Sequence, residues 1–234
     1  GHFSGRLTAP IVFAGSVCRQ ILEKKGIKIA SHIQSVGKVC DSRFNPLKID
    51  EGLIDSLNKQ SFPVIDPSLE PKMREYIENA RMSQDSTGGV IECVATGVPA
   101  GIGSPMFGGV ENLISSIMFG IPAVKGIEFG AGFAITEMLG SQANDQYAYD
   151  ENGRVVTLSN NNGGITGGIT NGMPILFRIA VKPTPSISKP QQTVDLTKHE
   201  NTELVIHGRH DPCIVPRATV VAESALAIAL INLL

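Results

Sequence analysis

The densest group of chemically capable side chains is "HGRHDPC", residues 207–213. His207, Arg209, His210 and Asp211 fall there between a strand-like run and a loop. An arginine presents a planar fork of N–H donors that matches phosphate or carboxylate, so the favoured reading is an anion site. Asp211 adds a carboxylate placed for acid–base work. Two histidines and a carboxylate also raise a metal site, but the H-x-x-H-D spacing fits no familiar zinc pattern and a single cysteine is near. A surface turn laced with charge pairs is the plain alternative. The first residues, "GHFSGRLTAP", repeat the theme. Ser4, Arg6 and Thr8 stand just before a helix start, where backbone N–H groups attract anions.

Two further stretches have the right chemistry. "VKPTPS" sets Lys182, Thr184 and Ser186 among prolines. A rigid turn that displays a cation and hydroxyls suits a phosphate or a polar ring edge, and a sheet-edge turn is the alternative. "SNNNGGITGGITNGM", residues 159–173, holds five glycines and four asparagines. A flexible linker would lack apolar anchors, whereas Ile165, Ile169 and Met173 recur here every four residues. No G-x-G-x-x-G lies between a strand and a helix. The one Gly-Lys with a chance of serving as a P-loop, Gly37-Lys38, is followed by Val39 and has His32 where the first glycine belongs. The stretch is therefore expected to hold something by close backbone approach, through neither standard nucleotide motif.

These residues need elements to position them. Apolar spacing predicts a helix over Pro10 to Lys25, then a strand over "IKIASHI". Residues 41–68, broken by Pro46, Pro63 and Pro67, read as loop, and Asp66 or Ser68 would cap a helix running to about Met82. "VIECVATGV", "PAVKGIEFG" (kinked at Gly126), "PILFRIAVKP" and "TELVIHG" read as strands. Val110 to Met118 and Pro216 to Leu233 read as helices. Helices and strands mix without a βαβ period, which predicts an α+β fold: largely antiparallel sheets covered by helices.

Composition narrows the classes. The chain has 234 residues, enough for a sizeable core, and a net charge of −2 gives no footprint for nucleic acid. Trp is absent, so the core must be aliphatic. The four cysteines never form C-x-x-C, and no glycosylation sequon occurs, which together favour the cytosol. The most apolar run, Ala225 to Leu234, is too short to span a bilayer. The start lacks Met and the end stops on apolar residues, so both ends read as cuts in a longer chain.

Taken in order, "GHFSGRLTAP", "DSTGG", "GVPAGIGSPMF", "PAVKGIEFG", "NNNGGITGGITNGMPILFRIAVKPTPSI" and "GRHDPCIVPRA" resemble chorismate synthase over nearly the whole chain. The resemblance implies a β-α-β sandwich fold, with residues 1–234 as one domain from the central and C-terminal part of such a protein. It implies a carbon–oxygen lyase that converts 5-enolpyruvylshikimate 3-phosphate to chorismate and phosphate in aromatic amino acid biosynthesis. Reduced FMN would be required although there is no net redox change, with NADP as an associated nucleotide. The protein would be a cytoplasmic homotetramer with no nucleic-acid or membrane partner.

Residue by residue, the resemblance assigns flavin contacts to His2, Phe3, Ser4, Pro122, Ala123, Gly167, Lys182, Pro183, Thr184, Pro185, Ser186 and Arg209. Arg6 and Arg209 would bind the substrate phosphate, and no metal is implied. Asp211 is the carboxylate for proton work near the flavin, with Ser4 as a relay. Many members have Asn at the position of Pro122 and an acid at that of Gly108. The family also has a segment before "GHFSGR" with a Ser-His motif, a catalytic His and several arginines, none of it in these 234 residues. The rival expectation is accordingly a non-catalytic flavin- or anion-binding fragment of the same fold.

Overall fold

The computed structural model describes residues 1–208 and 210–234. Ser4 caps a 3-10 turn, Gly5–Thr8, its hydroxyl oxygen accepting the Arg6 amide at 3.2 Å. Helix α1, Ala9–Lys24, follows at once, with Pro10 in the first turn where a missing N–H costs nothing. Strands β1, Lys28–Val36, and β2, Val39–Cys40, come next. Residues 41–68 are not all loop. Asp50 accepts the Leu53 amide at 3.0 Å and so caps a short helix, α2, Glu51–Leu57. Asp66 caps a 3-10 turn that leads into α3, Glu70–Met82.

Strand β3, Gly89–Thr96, helix α4, Val110–Phe119, and strand β4, Val124–Phe129, follow the expected order. The kink expected at Gly126 is a register shift between Val124 and Gly126. A short helix α5, Gly140–Ala143, precedes two small hairpins: β5, Tyr147–Tyr149, with β6, Val155–Thr157, and β7, Ile165–Thr166, with β8, Ile169–Thr170. Strand β9 is Ile175–Val181. Strands β10, Gln191–Asp195, and β11, Glu200–Leu204, form a separate ribbon. The strand predicted over "TELVIHG" stops at Leu204, because its partner Gln191 is preceded by Pro190, which has no N–H to continue the ladder. Helix α6, Val215–Leu233, ends the chain.

Five strands make one antiparallel sheet in the order β2-β1-β3-β9-β4. The expectation of an α+β fold with antiparallel pairing is met. Helix α6 packs on β1 and β3, and α1 and α4 pack against α6. Being covered on several sides explains why α6 is apolar nearly all round. Among the described residues it is the one helix long and apolar enough to cross a membrane, and two-thirds of that apolar stretch is buried inside the fold. A Cβ on Gly15 would collide with Ser224, so the glycine is what lets α1 approach α6 this closely. Beside it, Arg19 reaches Glu223 at 2.7 Å, and Glu223 accepts the Ser31 amide and hydroxyl at 2.9 and 2.8 Å. Burial raises the Glu223 carboxyl pKa even against those partners.

The opposite sheet face carries a row of charges. His32, Glu92, Arg178 and Glu128 stand directly across from one another on β1, β3, β9 and β4. His32 bonds Glu92 at 2.9 Å and Asp41 at 3.1 Å, and Arg178 bonds Glu128 at 2.8 Å. Phe44 stands edge-on to the imidazole and donates its amide to Glu92 at 2.8 Å. Opposite charges in register support each other across strands.

Residues 159–173 form a sewn loop. Asp145 accepts the amides of Asn161 and Asn162 at 2.7 and 2.9 Å and the Ser159 hydroxyl at 2.7 Å. The Asn160 side chain bridges Pro46 O, Pro174 O and the Gly164 amide. Gly167 and Gly168, both with positive φ, make the tight turn between β7 and β8. Gly163 has φ +64° and lies against β9: a Cβ there would sit 2.6 Å from Leu176 O and from Gly130 N. Gly163→Ala is expected to lower the melting temperature by several degrees. About 1–2 kcal/mol comes from the left-handed backbone and about 1–3 kcal/mol from overpacking. Thermal unfolding followed by circular dichroism checks this, and an unchanged melting temperature would contradict it.

Candidate active site

Five residues singled out in the sequence, from three separate segments, line one cleft of about 420 Å³: Ser4, Arg6, Thr8, Pro122 and Asp211. Ser4 and Arg6 arrive on the turn before α1, Pro122 on the link from α4 to β4, and Asp211 on the lead into α6. Val12, Ile121, Ile214, Ala218 and Val221 give the cleft its apolar wall. Apolar walls with a few convergent charges are the usual make-up of a small-molecule site.

Some of the other predicted contacts adjoin residues of the cleft. Ala123 holds φ +74°, an uncommon conformation for a residue with a Cβ, and its carbonyl accepts the Lys182 amide at 2.9 Å. That bond ties the run Lys182, Pro183, Thr184, Pro185, Ser186 to the residue after Pro122. His2 and Phe3 are exposed beside Ser4, Phe3 by 97%. Gly167 lies at the tip of its hairpin with open space above its Cα, and is not part of the cleft wall. The neighbouring Gly168 packs on Ser104 and Gly109, which fixes where that tip can reach. Arg209 lies outside the described residues.

Arg209 and His210 are the chain neighbours of Asp211, and among the described residues Asp211 also meets an arginine further along the chain. In the structure Asp211 Oδ2 bonds Arg217 Nη1 at 2.9 Å, and Oδ1 accepts the Cys213 amide at 3.4 Å. His210 Nε2 is buried without a hydrogen-bond partner among the described residues. Arg217, also in the cleft wall, is one of the residues that sequence reasoning missed. It stands six positions on, inside a helix pattern, with nothing local to mark it. Ser86 and Thr87 were missed too. The Ser86 hydroxyl donates to Thr184 O at 2.6 Å and the Thr87 amide to Pro212 O at 2.8 Å. The short "DSTGG" turn therefore braces the "VKPTPS" and "HDPC" loops together. Burial pushes the Cys213 thiol up to about 11, so it stays protonated near neutrality and is no nucleophile.

The fold with its cleft defines an α+β scaffold in which an apolar wall meets Arg6, Asp211 and Arg217. The comparisons name the family. The sequence profile of chorismate synthase matches residues 1–234. The chorismate synthase of Lancefieldella parvula is 45% identical over 244 residues, covering 100% of this chain and 64% of that protein. Those of Thermococcus gammatolerans and Pyrococcus abyssi are 47% and 48% identical over 230 residues, each covering 98% of this chain and 62% of the relative. A crystal structure of chorismate synthase superposes with a TM-score of 0.82 at 31% identity, covering 98% of this chain and 63% of that one. The chain belongs to the chorismate synthase family. It spans less than two-thirds of the length of these relatives.

Proposed function

We propose that the protein is a chorismate-forming lyase. It would release phosphate from 5-enolpyruvylshikimate 3-phosphate by 1,4-elimination, with reduced FMN, in the cytoplasm and as a homotetramer. The observation that carries this reading is the convergence of Ser4, Arg6, Pro122 and Asp211 on one cleft in a chain of this family.

The residues present suit the cofactor. The apolar wall would pack against a flat ring, and Ser4, Arg6, Asp211 and Arg217 line the same cleft. When bound, reduced flavin supplies electron density to a substrate that is losing its phosphate. This chain's residues do the rest. Arg6 lines the cleft with an exposed guanidinium, and a cation aimed at a leaving phosphate lowers the barrier as charge builds there. Arg209 is assigned the same task from its place in the motif. Asp211, with its carboxylate held at both oxygens, takes the proton work. The Ser4 hydroxyl oxygen accepts the Arg6 amide, which leaves its O–H able to donate into the cleft as a relay.

FMN added to the protein together with 5-enolpyruvylshikimate 3-phosphate is expected to change its absorbance spectrum, and to bind more tightly than without substrate. A flavin spectrum unperturbed in the presence of substrate would sink this reading.

A further inference from the structure

We infer that Arg217 is a positioning residue that acts through Asp211, fixing the plane of its carboxylate in the cleft wall. The inference rests on the proposed role of Asp211 in that cleft. Three observations point to it. First, both residues line the same cleft and meet at 2.9 Å, Nη1 to Oδ2, while the Cys213 amide holds Oδ1. The carboxylate is fixed at both ends, one of them by a donor that is itself planar and directional. Second, Arg217 stands in the first turn of a 19-residue helix whose first turn has no acidic residue and whose N-cap offers no side-chain bond. A cation there is opposed by the helix dipole, so helix stability does not explain its placement. Asp211 offsets that charge from just outside the helix. Third, the Arg217 side chain is 82% exposed and that of Asp211 26%. Such a pair contributes little to stability. Its use is in the orientation of the less exposed partner.

An ammonium at this position would keep the charge and lose the fork. Arg217→Lys should therefore recover only part of what Arg217→Ala loses. Geometric misplacement of a group involved in proton transfer is costly even when binding survives.

The test is a cycle of Arg217→Ala and Arg217→Lys, each in wild-type and Asp211→Asn backgrounds. Turnover at saturating 5-enolpyruvylshikimate 3-phosphate and reduced FMN, both affinities and the melting temperature are measured. Arg217→Ala is expected to lower saturated turnover about tenfold or more, with affinities within a few-fold and melting within about 3 °C. Guanidinium salt should restore part of that turnover. In the Asp211→Asn background the same substitution should cost about twofold or less, because the pair acts as a unit. In the ligand-free protein, the guanidinium nitrogen resonances of Arg217 should be sharpened by the pair and should broaden in Asp211→Asn. Equal losses in both backgrounds, a loss of affinity in place of turnover, or resonances indifferent to Asp211 would overturn the positioning role. Wild-type protein with no turnover at all would instead strike the proposed function, and the positioning role with it.

Discussion

Asp211→Asn is expected to lower turnover at saturating substrate and reduced FMN by about 10²-fold or more, the usual loss when a general acid or base is removed. Affinities for both ligands should stay within a few-fold. Asn keeps the shape and can still accept the Cys213 amide, so the lead into α6 should hold its path. What it gives up is basicity and the ion pair to an exposed Arg217, which costs about 0–1 kcal/mol of stability. The competing view is that Asp211 only shapes the loop. In that case Asn would weaken binding and stability together and leave saturated turnover nearly unchanged. Measuring turnover, two affinities and a melting curve on the same preparation separates the two, and near-normal saturated turnover removes Asp211 from the mechanism.

Glu92→Ala is expected to be strongly destabilising, by about 2–6 kcal/mol, because it leaves two buried donors, the His32 Nε2–H and the Phe44 amide, unsatisfied at about 1–3 kcal/mol each. Glu92 accepts both His32 Nε2 and the Phe44 amide, and His32 is fully buried. The pH dependence follows from the same network. Burial alone would lower the His32 pKa, but the hydrogen bonds its ring donates to Asp41 and Glu92 outweigh it and raise the pKa above its ordinary value. Burial alone would raise the Asp41 pKa, but His32 and the amides of Ile65 and Asp66 hold it below the usual carboxylate value. A raised histidine contributes stability that is present below its unfolded pKa of about 6.5 and is lost as pH rises through the folded value. A depressed aspartate contributes stability that is present above about 3.9 and is lost as pH falls through its folded value. Wild-type stability should therefore peak between about pH 4 and 6.5 as far as this network decides it, and fall on the alkaline side. In Glu92→Ala that alkaline fall should shrink. Urea unfolding midpoints across pH check both statements, and a Glu92→Ala midpoint equal to wild type would contradict them.

How much of this was legible beforehand depended on sequence distance. Helices α1, α4 and α6 and strands β1, β3, β4 and β9 announce themselves because their apolar periods are local. Helix α2 was hidden by its seven-residue length, by Gly52 and by the prolines around it, although Asp50 before it is a recognisable cap. The His32–Glu92–Arg178–Glu128 row is invisible in the sequence, because it exists only once strands far apart in the chain are put in register. The glycines of residues 159–173 mark a place of close backbone approach without saying what approaches. What approaches Gly163 is the chain's own β9 and Gly130, and the asparagine turn is organised by Asp145, which nothing in the spacing picks out. At the site, residue types drew attention to Ser4, Arg6, Thr8 and Asp211 and the resemblance to Pro122, and the structure brings them together. Arg217, Ser86 and Thr87 escaped because their roles are pairings between loops, and a single sequence does not encode which loop faces which.

The central claim is best tested by mixing the protein with 5-enolpyruvylshikimate 3-phosphate and FMN under anaerobic conditions and following phosphate and chorismate together. The account predicts equal amounts of both products, formed when the FMN is reduced and not when it is oxidised or omitted. Binding of reduced FMN and substrate with no phosphate released, or phosphate released without chorismate, would contradict it.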